Sequence, residues 1–202
     1  IKFVLGTVLS VNFPSFKQLF RERMSLCRNI AQIYFQNRMV DMDNLTLEQY
    51  YEGYLRMLRI RKFETRAEEN HSKGEIPGAL HTSLGQEAEV VGACMTLKDD
   101  DYMVGNHRSH GHPIGKNADM KPLMAELYAR KTGICGGKGG SMHLSDFSIG
   151  SLGETSIVGS GLPVAVGAAL GSNMLGEGRV TLCFFGDGAS NEGAFHEALN
   201  LA

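Results

Sequence analysis

The chain lacks tryptophan, lacks a C-x-x-C pair and lacks an apolar run long enough for a membrane. Cys27, Cys94, Cys135 and Cys183 stand far apart, which gives no metal site and fits a reducing compartment. Cys94 and Cys183 lie in apolar runs and read as buried thiols. Residues 1–13 are apolar but fall short of the ~20 residues that a bilayer-spanning helix needs. No small-residue cleavage pattern comes after them, which argues against a secretory signal. Charge of one sign is missing too. The 20 Lys and Arg against 22 Asp and Glu leave a net charge of −2, spread along the chain. Nucleic acid and membrane surfaces are therefore not expected partners. Two phosphate signatures fail. Lys138 precedes Gly139 where a Walker loop needs Ser or Thr, and Asn191 stands where a dinucleotide fingerprint has glycine. Nothing near Asp99-Asp100-Asp101 completes an EF-hand, so that run reads as a solvated turn.

Glycine is plentiful: 25 residues, concentrated between positions 133 and 193. Such placement marks loops with a purpose. The 202 residues suffice for one domain with a real core. Residues 1–41 do not match the rest of the chain. Residues 17–38 are basic, with Glu22 the only acid, and read as a targeting peptide, a family extension or accidentally translated upstream sequence. Met39 and Met42 sit just before a well-formed helix start, and the native protein is expected to begin near one of them.

Thr46 with Gln49 forms a capping box, and Tyr50, Tyr54, Met57, Leu58, Ile60 and Phe63 recur near helical spacing. This helix should run to about His71 and stop at Gly74. Helices are also expected over residues 86–97, 118–130 and from Gly161-Leu162-Pro163 onward. Gly167, Ala168, Ala169 and Gly171 make the last one slim, suited to close packing inside the chain or on a partner. Tyr102-Met103-Val104 reads as a strand and Ser156-Ile157-Val158-Gly159 as an extended segment. At the end, strand 180–185 runs into the turn Gly186-Asp187-Gly188-Ala189-Ser190. A helix over 191–202 comes next, with Ala194, Phe195, Ala198, Leu199 and Ala202 on one face. These elements together imply an α/β fold with a largely parallel sheet.

That terminal turn carries the chemistry. Amides at a helix start attract an anion, while Asp187 repels a bare phosphate unless a cation such as Mg²⁺ bridges the two. The plainer alternative is a tight turn and nothing more. Asn106-His107-Arg108-Ser109-His110-Gly111-His112 reads as an anion clamp, with a zinc site or structural histidines as the alternatives. The glycine loop 133–140 has only a superficial likeness to a phosphate loop, and its alternative is backbone passing close to another element.

Five motifs in order resemble one family. They are Gly85-Gln86-Glu87-Ala88, the His107-Arg108 loop, Gly137-Lys138-Gly139-Gly140-Ser141-Met142-His143, Ser156-Ile157-Val158-Gly159, and Gly186-Asp187-Gly188-Ala189-Ser190-Asn191-Glu192-Gly193. Over residues 44–202 the chain is similar to the alpha subunit of thiamine-diphosphate-dependent 2-oxo acid dehydrogenases, a group that includes pyruvate, branched-chain 2-oxo acid and acetoin dehydrogenases. The resemblance implies a thiamine-diphosphate-binding fold, partial over residues 42–202, with Mg²⁺ as second cofactor. By resemblance Asp187 ligates the metal and the Gly188 and Ala189 amides meet the diphosphate. His107 and Arg108 hold it from the other side. The Ser156 carbonyl and Val158 amide grip the aminopyrimidine, which the Val158 side chain props. His81 and His110 are the catalytic candidates, His81 facing the substrate and His110 behind it. Many relatives carry tyrosine at position 107; histidine there is nearer the acetoin type.

The family motif continues to an asparagine pair about thirty residues past Gly186, beyond Ala202, so the chain is expected to be a C-terminal truncation. The cofactor-activating glutamate belongs to the beta subunit, which implies an α₂β₂ assembly and no activity from this chain alone. Other implied partners are a lipoyl-bearing acyltransferase core and a small 2-oxo acid or acetoin. The implied compartment is bacterial cytoplasm or mitochondrial matrix. Two alternatives share the fold: another thiamine enzyme of transketolase or synthase type, and a non-catalytic binding module.

Overall fold

A computed structural model describes residues 3–7, by their backbone alone, together with residues 45–108 and 110–202. The expected chain start near Met39 or Met42 lies outside the described residues. Helix α1 (Leu47–Ser72) opens on the expected capping box. The Gln49 amide donates to Thr46 Oγ1 at 3.2 Å, and the Thr46 amide donates to Gln49 Oε1 at 2.8 Å. Its last turn closes as Gly74, at φ +76°, donates to the His71 carbonyl. The buried face is Met57, Ile60, Phe63, Glu64 and Ala67; Tyr50, Tyr54 and Leu58, expected on it, are exposed.

Helix α2 (Glu87–Cys94) ends three residues before the expected position 97. There Thr96 Oγ1 and the Thr96 amide both bond the Ala93 carbonyl, a local bond that competes with the helical one. Strand β2 (Tyr102–Val104) is as expected. A short helix α3 (Gly111–Gly115) comes next, unforeseen. Helix α4 (Met120–Leu127) is capped by Asp119, whose carboxylate accepts from the Lys121 amide, and it ends before Ala129 at φ +53°. Its expected span of 118–130 was too long at both ends. Strand β3 (Ser151–Gly153) was missed. The extended segment expected at 156–159 is a turn: the Ile157 carbonyl accepts from both the amide and hydroxyl of Ser160.

Helix α5 (Gly161–Met174) leads to strand β4 (Thr181–Phe185). Helix α6 (Gly193–Leu201) begins later than expected. The Ser190 hydroxyl and Asn191 amide group both donate to the Asp187 carbonyl, which tightens 189–191 into a 3₁₀ turn. Of its expected apolar face, Ala198 is buried and Phe195 is packed beside it, while Leu199 is exposed.

Among the described residues the strands pair in parallel, in the order β1-β4-β2-β3, with β1 (Phe3–Thr7) beside β4 in register Phe3 to Thr181, and one isolated antiparallel bridge joins Asp146 to Ser151. Alternation along the strands divides the core. Met103, Leu182 and Phe184 face the layer of α1 to α4. Val104, Cys183 and Phe185 face α5 and α6. Every residue of β4 is buried, as a parallel strand covered on both faces requires. Asp101 corrects the reading of a solvated turn. It is buried, and its carboxylate accepts from the amides of Val180 (2.7 Å) and Lys98 (2.8 Å), tying the start of β2 to the approach to β4. Cys94 and Cys183 are buried free thiols that burial pushes up to about 12. No helix among the described residues is long and apolar enough to cross a membrane.

Candidate functional site

The carboxyl ends of β2, β3 and β4 lie side by side, and the chain leaving each one lines a single cavity of about 550 Å³. From β2 come Gly105, Asn106, His107 and Arg108; from β3, Thr155, Ile157, Val158 and Gly159; from β4, Gly186, Asp187, Gly188 and Ala189. That size suits a drug-sized ligand, and the end of a parallel sheet is where such ligands bind.

In the turn after β4, Asp187 is exposed, and its carboxylate has no hydrogen bond or ion pair among the described residues. A Cβ added to Gly186 or Gly188 meets no atom within 4 Å, so the backbone there stands open to a ligand. Among the described residues no three His, Cys, Asp or Glu side chains gather as a metal cage. One free carboxylate is nonetheless what Mg²⁺ takes when phosphate oxygens and water complete its shell.

The three histidines of the 106–112 loop go to three places. His107 lines the cavity and meets His81 edge-on, ring centroids 5.3 Å apart. Burial chiefly, then the fields of His81, Arg108 and His112, hold its imidazole below the usual histidine range, so the ring is neutral at neutral pH. His110 is wholly buried between Glu64 and Ser141. His112 is buried too; it pairs with Glu154 at 3.2 Å and stacks on Phe184 at 4.2 Å. The zinc alternative fails on this divergence. Arg108 is exposed, and its guanidinium donates to the Thr82 carbonyl at 3.0 Å while lining the cavity. His81 stands behind His107 and does not line the cavity; its Nδ1 is buried without a hydrogen-bond partner among the described residues. His110, a catalytic candidate from sequence, is sealed from the cavity with both ring nitrogens engaged, so any part it has is in positioning.

Val158 lines the cavity and Ser156 does not: the Ser156 hydroxyl meets His143 Nε2 at 3.3 Å on the outside. The glycine loop 133–140 lies elsewhere and is already filled. Glu126, buried at the end of α4, accepts from the amides of Cys135 and Gly137 with Oε2, and of Gly139 and Gly140 with Oε1, at 2.7–3.2 Å. Burial pushes this carboxyl up, and those four amides outweigh it and hold it below the usual carboxylate range. The loop is thus an anion nest closed by the chain's own carboxylate. Sequence reasoning missed Leu162 and Phe184 as lining residues, while Gln86 and Asn106 stood in motifs already singled out but were given no role of their own.

The model of the family described as "Dehydrogenase E1 component" matches residues 55–202. The chain belongs to that family. Among relatives of the E1 component chain, the alpha subunit of acetoin:2,6-dichlorophenolindophenol oxidoreductase from Bacillus subtilis is 46% identical over 159 residues, 79% of this chain and 48% of the relative. Its counterpart from Cupriavidus necator is 47% identical over 149 residues, 74% and 45% of the two chains. The pyruvate dehydrogenase E1 component subunit alpha of Rhizobium meliloti is 38% identical over 151 residues, 75% and 43%. The chain spans about half the length of the curated relatives it matches.

E1 components use thiamine diphosphate. The residues present fit that group. Asp187 offers a free carboxylate between open glycines, Arg108 offers a cation to a diphosphate, and Ile157, Val158, Leu162 and Phe184 give an apolar wall to a heteroaromatic ring.

Proposed function

We propose that this chain is the diphosphate-binding part of the alpha subunit of a thiamine-diphosphate-dependent dehydrogenase. The whole enzyme decarboxylates a small 2-oxo acid such as pyruvate, or cleaves acetoin, and passes the acyl group to a lipoyl carrier. The observation that carries this is the Asp187 carboxylate, unpartnered among the described residues, between Gly186 and Gly188 in the cavity that Arg108 and His107 also line. When bound, thiamine diphosphate supplies a carbon that adds to a carbonyl and an electron sink for the bond that breaks. The chain's own residues bind and orient. Asp187 holds Mg²⁺, and the Gly188 and Ala189 amides take the diphosphate from the helix side. Arg108 takes it from the other, through a planar fork that suits phosphate oxygens. His107, kept neutral, gives a hydrogen bond without adding a cation. The Val158 amide receives the aminopyrimidine, with the Val158 side chain as its prop. His81, edge-on to His107 and with Nδ1 unpartnered among the described residues, stabilises charge on a substrate.

The carboxylate that activates the cofactor comes from a beta subunit in an α₂β₂ assembly, and the chain alone is inactive. A lipoyl-bearing acyltransferase core completes the complex. The free cysteines suit a reducing compartment, bacterial cytoplasm or mitochondrial matrix. Acetoin is favoured as substrate by His107 and by the higher identity to the acetoin-named relatives. The test is turnover by the full chain with its beta subunit. Thiamine-diphosphate- and Mg²⁺-dependent consumption of acetoin or pyruvate is expected, with acetoin showing the larger kcat/KM. No turnover of either, in a preparation that binds both subunits, would overturn the reading.

A further inference from the structure

Away from the cavity, one buried polar chain ties together three distant segments. Glu64, in the middle of α1, is wholly buried. Its Oε2 accepts from His110 Nδ1 at 2.6 Å; its Oε1 accepts from the Ser83 hydroxyl at 2.6 Å and the Ser83 amide at 3.0 Å. With the proton on Nδ1, His110 Nε2 accepts from the Ser141 hydroxyl at 2.8 Å. These are the distances of a Ser–His–acid nucleophile. Burial rules that use out. His110 is 0% and Ser141 5% exposed, and the neighbouring amides of Gly139 and Gly140, which an oxyanion would need, donate to Glu126. The chain of bonds holds; it does not react.

What it holds is the cavity's cationic side. Ser83 is two residues from His81, and His110 is three from His107. Arg108 reaches across to the Thr82 carbonyl. The two segments touch without slack: a Cβ on Gly111 would stand 2.5 Å from Ser83 Oγ. We propose that Glu64 is a positioning residue, whose two oxygens lock the segment of His81 and Ser83 to that of His107 and His110. It thereby sets the His81–His107 spacing and the reach of Arg108. This rests on the reading of the cavity as a diphosphate site.

The test is a double-mutant cycle in the full chain with its copurifying subunits, probed by titration with Mg²⁺ and inorganic pyrophosphate. Glu64→Gln should weaken pyrophosphate about tenfold or more in protein still folded at the assay temperature, since small misplacements of binding groups cost that much. In an Arg108→Ala background the same change should cost little further, because Glu64 acts through the clamp. A residue serving only the fold would give additive losses, and additivity overturns the proposal. Should Glu64→Gln not fold, Ser83→Ala, which removes one of the three bonds, enters the same cycle with the same two outcomes. Should the unaltered protein not bind pyrophosphate, the cavity reading fails separately, and a crystal structure of the variant then decides the positioning. The His81 and His107 rings displaced from their 5.3 Å separation by more than about 0.5 Å support it, and an unchanged pair overturns it.

Discussion

Two glycine loops of this chain meet carboxylates in opposite ways. In the loop at 133–140, four amides converge on Glu126, an anion supplied by the preceding helix. In the turn after β4, Asp187 and the glycines beside it face open space. Both loops have the composition of a phosphate cradle. Only the one whose donors are unspent can serve a ligand. The difference teaches that a glycine-rich motif is judged by where its amides go. That accounting separates a structural nest from a binding site.

The contrast can be broken by exchanging what each loop loses. Glu126→Ala leaves four part-buried amides unanswered and should cost about 2–4 kcal/mol in urea unfolding. Glu126→Gln keeps one acceptor and should cost less. A Glu126→Ala variant as stable as the parent would mean that the loop is not held from inside.

Next comes a glycine pair. Gly137, at φ +80°, has no room for a Cβ, which would stand 2.7 Å from the Ala129 carbonyl carbon. Gly137→Ala should destabilise by about 2 kcal/mol. Gly188 sits at φ −60° with nothing within 4 Å. Gly188→Ala should leave the unfolding midpoint within about 0.5 kcal/mol of the parent and weaken Mg²⁺-pyrophosphate binding. Equal effects of the two on stability would erase the distinction.

Arg108→Ala should weaken the same titration about tenfold to a hundredfold, as expected for a charged hydrogen bond to an anion, with little change in melting temperature. Smallest is a pH effect. Glu126 gives up its proton more readily folded than unfolded, so on acidification the unfolded chain takes the proton first. Its stabilisation is complete above the ordinary value of 4.5 and is lost as pH falls through the lower folded value. The urea midpoint should drop below that pH, less steeply in Glu126→Gln; identical slopes would remove Glu126 from the account.

Much of the frame was legible. The capping box at Thr46, the apolar run into β4 and the glycine turn after it are local signals, and each folded as read. The wrong or missing parts depend on distant partners. Asp101 looked solvated because nothing local shows the Val180 amide it bonds, 79 residues on. His110 was placed behind the substrate by resemblance alone, and its anchor went unread because Glu64 lies 46 residues earlier on a helix face read as apolar. β3 has three residues, too few for an alternation to show. The filled nest at 133–140 was half read: its close approach to another element was an open alternative, but the element was not identifiable.

The most direct test is titration of Mg²⁺ and thiamine diphosphate into the full chain with its copurifying subunits, set beside Asp187→Ala. Magnesium-dependent binding in the parent, lost about a hundredfold or more in the variant at unchanged melting temperature, is the predicted result. Equal binding by both, or binding indifferent to Mg²⁺, would contradict the assignment of the open turn as the metal and diphosphate site.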